Sequence, residues 1–306
     1  MPTTGSITSG QIVKVTQLSE DAIRRAVRTV LDGQSFTDTE TFQQKVVERG
    51  DEYVAAIERK VIPIIEATLR EMTITGEFQS EEISSNYGYL SGYRGPKSIA
   101  DQLRILRQYF PQLGDADDGV AKQDRPAGSE GWFAIPRWQA IAATYGEALE
   151  LALDALKQQR KDKVDNFRKG RLGPKYLRLL DKTIRQLERI GEQQQHDILV
   201  VAAQFGLRHR GRSVRRARAV MGGQEFGLGP FEIGIMLLTH PERLAHLDDL
   251  WIDCDGCEYN PDAVGQFGCC PFFGFTDGRL RFAAHWFGHA SVHYGSVSAF
   301  FPPSTM

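Results

Sequence analysis

The sequence predicts an α+β fold: a mainly helical N-terminal part over residues 1–195, followed by a smaller mixed α/β part over residues 196–306. Three observations predict it. Apolar residues recur at steps of three and four through much of the first part. After Asp197 that period gives way to short apolar runs rich in β-branched residues. Toward the C-terminus, two apolar runs flank Asp277-Gly278, a hairpin dipeptide. No flexible linker marks residue 195, so the two parts can also form one continuous domain.

The first helix is expected to start at Ser19, whose hydroxyl can cap the next turn, with Glu20 and Asp21 near the positive helix end. Ile23, Ala26, Val27, Val30 and Leu31 give its apolar face, and Gly33 stops it. A second helical stretch is expected from about Thr39 to Met72, broken or kinked at Pro63. Asn86 to Pro96 sets three tyrosines among glycines and reads as an ordered loop. Ser98 should cap a helix carrying Ile99, Leu103, Leu106 and Phe110, which Pro111 ends. Leu113 to Glu130 is acidic, rich in Gly and Asp, and reads as a mobile linker or surface loop.

Pro136 suits a first helical turn, with Trp138, Ile141, Tyr145, Leu149, Ala152 and Leu156 along one face. Pro174 suits another, which would run through Tyr176, Leu177, Leu180, Ile184 and Leu187 to about Gln195. These two helices are expected to pack together. Ile198 to Phe205 reads as a buried strand, Val214 to Met221 as a short helix, and Leu250 to Cys254 as a strand. Pro271 to Phe287 reads as a hairpin, and Ser296 to Phe301 as a last strand.

Composition sets the class. At 306 residues, with 41% apolar and 25% charged residues, the chain can bury a sizeable core, and wholesale disorder is excluded. The longest apolar run, Phe231 to Leu238, already contains Glu232, so no membrane span is expected. Met1 to Gly10 lacks the basic-then-apolar pattern of a signal peptide, which predicts a cytoplasmic protein. All four cysteines, Cys254, Cys257, Cys269 and Cys270, lie within seventeen residues. That clustering suggests reduced thiols or a metal site rather than a disulfide scaffold.

Charge is unevenly spread. Ala155 to Val220 holds 18 Lys and Arg against 6 Asp and Glu, in a chain whose net charge is -2. The densest part is Arg208, Arg210, Arg212, Ser213, Arg215 and Arg216, with Arg218 just beyond. Between a strand end and a helix start, such a loop offers backbone amides and the positive helix end to an anion. Arginine adds bidentate donors that match phosphate, and Gly206 and Gly211 would permit close approach. The loop is neither a Walker motif nor a dinucleotide fingerprint. Alternatively, the arginines pair with the acidic remainder of the chain. The tyrosines at 87, 89 and 93, with Arg94, can stack on bases or seal their loop onto the core.

A second cluster joins Cys254 and Cys257 with Cys269, Cys270, His285, His289 and His293. A CxxC pair is half of a common zinc site, but adjacent cysteines rarely bind one tetrahedral ion, and buried apolar thiols are the alternative. Asp253-x-Asp255-Gly256 resembles the opening motif of haloacid-dehalogenase-type phosphatases. Only 51 residues follow Asp255, however, too few for the fold those enzymes build after it. With Glu258 and Asp262, the two aspartates can instead hold a divalent ion such as magnesium, or form a solvated acidic turn.

His196 to Met221 and Phe226 to Asp253, with Tyr87 to Ile99 and Gly131 to Pro136 (GWFAIP), resemble an uncharacterised family of bacterial proteins of unknown function. The resemblance implies a bacterial cytoplasmic setting and carries no activity, ligand or catalytic residue. The residues support three readings. The first is a phosphate-recognising protein that binds nucleic acid or a nucleotide through the arginines. The second is a metal-dependent phosphoester hydrolase using Asp253, Asp255 and Glu258. The third is a non-catalytic interaction or scaffold protein, bound to a protein partner or to copies of itself. No Ser-His-Asp or Cys-His nucleophilic arrangement is legible in the residue order.

Overall fold

A computed structural model describes residues 77–301 continuously, and before them only residues 17, 20, 23, 24, 48–52, 54 and 55. The chain divides into residues 1–73 and residues 74–306. The helices expected from Ser19 and over Thr39 to Met72 lie largely outside the described residues, and the described positions among them are helical save a turn at Arg49.

Two sheets and a buried helix organise the second unit. Among the described residues there are eleven strands and five α-helices. The first sheet has four antiparallel strands in the order β1-β4-β11-β5, formed by Gly131–Pro136, Ile198–Gln204, Ser298–Phe300 and Glu225–Gly227. The second has seven strands: β10 (Tyr294–Ser296), β6 (Trp251–Asp253), β8 (Cys269–Thr276), β7 (Cys257–Tyr259) and β3 (Leu177–Leu179) in order, with β9 (Arg279–Trp286) and β2 (Val164–Asn166) branching from β8. β10 and β11 are separated by Val297 alone, so the chain passes from one sheet directly into the other.

The helices are α1 (Ile99–Tyr109), α2 (Tyr145–Gln159), α3 (Asp181–Gln194), α4 (Val214–Val220) and α5 (Pro230–Thr239). All ten residues of α5 are buried. A helix apolar all round needs partners on every side. Here α2, α1 and β1 provide them, and Gly234 faces Ala152, Leu156 and Phe273 of β8. This apolar run is therefore a core helix.

These elements overturn the expected division into a mainly helical part and a smaller mixed part. β1, β2 and β3 all precede residue 195, and β1 pairs along its whole length with β4 beyond it. The helix expected from Pro136 is strand β1, a 3-10 turn at Trp138–Ala140, and then α2, which opens on a Thr144–Glu147 capping box. The helix expected from Pro174 is likewise split into β3 and α3. α2 makes its most extensive helix contact with α5. Sheet pairing overrode the helical period at Leu177–Leu179, which pairs with Cys257–Tyr259, because buried backbone amides need partners.

Local signals elsewhere held. Ser98 accepts the Asp101 amide at 3.1 Å and starts α1. Ile198–Gln204, Val214–Val220, and the β8–β9 hairpin about Asp277-Gly278 form as the sequence predicts. Two buried glutamines finish the first sheet. The Gln102 amide donates to Trp132 O at 3.0 Å and accepts from Ala134 N at 2.8 Å, closing the outer edge of β1. Gln194 does the same for Val200 on β4, at 2.8 and 2.7 Å. At β1, an edge strand, such bonds stop the sheet from recruiting another chain.

Candidate functional site

The arginine-rich segment joins β4 to α4, as its sequence suggests, and its side chains turn inward to carboxylates. Arg208 Nε lies 3.0 Å from Glu225 Oε1. Arg212 and Arg216 both reach Glu82, with Nε distances of 2.9 and 3.1 Å to its two oxygens. Arg215 pairs with Glu81 and lies over Phe78 and Trp286, 4.4 and 5.1 Å from their ring centroids. Ser213 caps α4 by accepting the Arg216 amide, and donates its hydroxyl to Glu81 at 2.6 Å. Arg210 donates to the Tyr87 carbonyl at 3.0 Å. Five of these six side chains thus meet a glutamate.

The centre of this network is Glu225 of β5, fully buried. Burial pushes its carboxyl up, but donors from His209 and Ser298 and the Arg208 charge overrule it and hold the group at about 2. His209 Nε2 and Ser298 Oγ lie 2.8 and 2.7 Å from Glu225 Oε1. Burial pulls His209 below its ordinary value. A neutral ring protonated on Nε2 satisfies both contacts, since Nδ1 then accepts from Arg212 Nη1 at 3.2 Å.

The tyrosine loop is sealed onto the core. Tyr89 donates to Glu130 at 2.5 Å beneath the buried Arg243, whose guanidinium sits 3.9 Å from the ring centroid. Tyr93 is buried edge-on to Phe205 at 5.3 Å. Tyr87 packs on His293 at 4.4 Å, and Arg94 donates to the Tyr93 carbonyl at 3.1 Å.

The acidic and cysteine cluster lies deep. Asp253, Cys254, Asp255, Cys257 and Cys270 are all fully buried. Asp253 binds His285 Nε2 at 2.8 Å. Burial works against charge on His285, but Asp253 wins and raises it. Asp255 has no protein partner for either carboxyl oxygen, and burial, with Asp253 and Glu225 nearby, pushes it well above the carboxylate range. Cys257 donates to the Cys254 carbonyl at 3.2 Å. Burial raises both thiols, as it does Cys270. Among the described residues, no three His, Cys, Asp or Glu side chains converge where an ion could sit. Cys270 stands opposite His285 on neighbouring strands, yet the surrounding carboxylates disfavour a thiolate, the reverse of what a nucleophile needs.

A partly open pocket lies elsewhere, at the N-terminus of α5. About 290 Å³ is bounded by Ile135 and Pro136 of β1, Trp138, Leu199 of β4, Leu177 and Leu179 of β3, and one face of α3. That face carries Ile184, Leu187 and Glu188 at helical spacing, and the next position along it is Gly191. Glu232 stands in this wall, 2% exposed. Its Oε2 accepts the Tyr145 hydroxyl at 2.8 Å, and the Gly229 and Glu232 amides add hydrogen bonds. Tyr145 in turn accepts the Phe231 amide at 3.1 Å. A Cβ at Gly229 would collide with both the Tyr145 hydroxyl and the Glu232 carboxyl, so glycine is required there.

Burial raises Glu232 to about 7, despite those donors. No Lys, Arg or His among the described residues forms an ion pair with it. Across the pocket, Arg137 lays its guanidinium over Gly191, where any side chain would strike it. Its Nε is buried without an acceptor. Sequence reasoning did not single out Glu232, Tyr145 or Arg137 as functional. The available signal was a carboxylate inside an otherwise apolar run directly after Gly229-Pro230.

By fold and site the second unit has two sheets and a buried helix, with an apolar pocket that holds a carboxyl at the start of that helix. No family model, curated protein or solved structure matches the chain. No helix among the described residues is long and apolar enough to cross a membrane.

Proposed function

We propose that the protein binds a small, largely apolar molecule in the pocket between α3, β1 and the N-terminus of α5. The observation that carries this reading is the pairing of apolar walls with Glu232, which forms no ion pair among the described residues, and Arg137, whose buried Nε has no acceptor. Apolar pockets with a few convergent polar groups and a shifted titratable residue are the usual form of a ligand site. A 150 Å³ cavity accommodates benzene, so about 290 Å³ suits a single ring with a short substituent.

The test is ligand-observed NMR with a set of aryl and alkyl fragments, on the wild type and on Ile184→Trp. Ile184 is 37% exposed at the pocket rim, so a larger side chain there can fill the opening without disturbing the core. Fragments should bind the wild type and lose at least tenfold in affinity in the variant. Absence of any fragment sensitive to Ile184→Trp would sink the reading.

Phosphate recognition by the arginine segment is the second reading, favoured by one observation. Arg212, Arg215 and Arg216 stand together against two adjacent carboxylates, Glu81 and Glu82, of a short segment at Gln79–Glu82. An incoming phosphate would have to displace them. The double variant Glu81→Gln, Glu82→Gln should then bind single-stranded DNA, duplex DNA or RNA more tightly than the wild type, in a salt-dependent manner by fluorescence anisotropy. Equal absence of binding in both proteins at low salt removes this reading.

A further inference from the structure

Resting on the pocket reading, we infer that the bound molecule carries a protonated amine that pairs with Glu232. A carboxylate removed from water demands compensation, from a cation or from a proton. Every donor that reaches Glu232 is neutral: the Tyr145 hydroxyl of α2 and the amides of Gly229 and Glu232. These donors, together with the positive end of the ten-residue α5, favour the ionised form and hold its oxygens at the pocket wall. What is missing among the described residues is a full positive charge paired with it. The walls offer none near it, because Arg137 sits over α3 and contributes nothing to the Glu232 environment.

The chemistry around the carboxyl favours an amine over other polar groups. A carboxylate ligand would face like charge. A carbonyl ligand would have to take its hydrogen bond from the protonated form, whose share falls as pH rises above about 7. An ammonium group on a ring-sized apolar body satisfies the carboxylate, while the body occupies Leu177, Leu179, Leu187 and Leu199. The acidic Glu188 of α3 also lines the exposed rim, which favours entry of a cation.

The groups that titrate or carry charge about Glu232 are Tyr145 of α2, Cys257 of β7, Glu188 of α3 and Arg137 beyond β1. Burial holds Tyr145 and Cys257 neutral far above neutral pH. Between pH 6 and 8 the titration of this wall therefore belongs to Glu232, raised to about 7. Amine affinity should climb across that interval as the carboxyl ionises, and a neutral isostere should show no such climb.

The experiment pairs 2-phenylethylamine with 2-phenylethanol, titrated into the full chain by isothermal calorimetry at pH 6, 7 and 8. At pH 8 the amine should bind at least tenfold tighter than the alcohol, and its advantage should shrink severalfold by pH 6. Glu232→Gln should bring the two affinities within about twofold. Equal binding of both probes by the wild type would overturn the amine and leave the pocket reading standing. Failure of both probes, together with failure of the fragment set, would remove the pocket itself. Since the wild-type comparison needs no variant, a folding defect in Glu232→Gln would not rescue the inference.

Discussion

Glu225→Ala should lower the stability of the second unit by about 1–3 kcal/mol, the range for leaving buried hydrogen-bond partners unsatisfied. The carboxylate holds together β5, β11 and the segment leading into α4, through Ser298, His209 and Arg208. Its loss strands the buried His209 and Ser298, while Arg208, partly exposed, regains some water. All four tryptophans, at 132, 138, 251 and 286, lie within residues 74–306, so urea unfolding followed by tryptophan fluorescence reports on this unit. A loss below about 1 kcal/mol would show that the network is solvated and replaceable. Acid offers an independent check. The carboxyl is held at about 2 against an ordinary 4.5, so its contribution is present above pH 4.5 and disappears as pH falls through 2. Glu225→Gln should lack this acid-dependent loss, on the order of 3 kcal/mol.

Glu232→Gln should act with the opposite pH sign. Here the folded carboxyl is raised to about 7 from 4.5. Its stabilising contribution is present in full below pH 4.5, where it is protonated in both states. As pH rises from 4.5 through 7, the unfolded chain ionises first and stability drains away, by on the order of 3 kcal/mol. The wild type should therefore lose more stability than Glu232→Gln between pH 5 and 8, measured as the difference between their urea curves. Parallel curves would mean that the carboxyl ionises freely in the folded protein, which would remove the case for a desolvated acid in the pocket. Such a cost, retained at the start of a core helix, fits a group kept for a ligand rather than for stability.

The candidate sites were legible to different depths. The arginine segment was visible as a charge excess between a strand and a helix, and both elements formed. Its destination was not visible. Arg212 and Arg216 meet Glu82 across some 130 residues, and Arg215 meets Glu81 across a similar separation. No local pattern encodes such a pairing. The cysteines were visible as a cluster, and the structure brings Cys254, Cys257 and Cys270 into one buried region without setting them round an ion. The pocket was invisible, because its walls come from β1, β3, β4, α3 and α5, and the strand pairings that gather them join residues far apart in the chain.

By itself the sequence determined what local chemistry controls. Ser98 and Ser213 start helices because a hydroxyl can satisfy free amides one turn on. Asp277-Gly278 turns a hairpin because both residues adopt positive φ, 53° and 72°. Ile198–Gln204 is a strand because a short β-branched run, buried on both faces, fits little else. Only the tertiary structure decided the segments whose periods admit two answers. Leu177–Leu179 lies within a helical pattern but pairs with Cys257–Tyr259 instead, and Pro136, which suits a first helical turn, ends the strand that pairs with β4. Phe231–Leu238 is apolar on every side and shows no period, so its helix exists because two sheets and α2 enclose it. In each case the hydrogen bonds and buried area come from residues far along the chain, and that free energy outweighs the few tenths of a kcal/mol per residue of local preference.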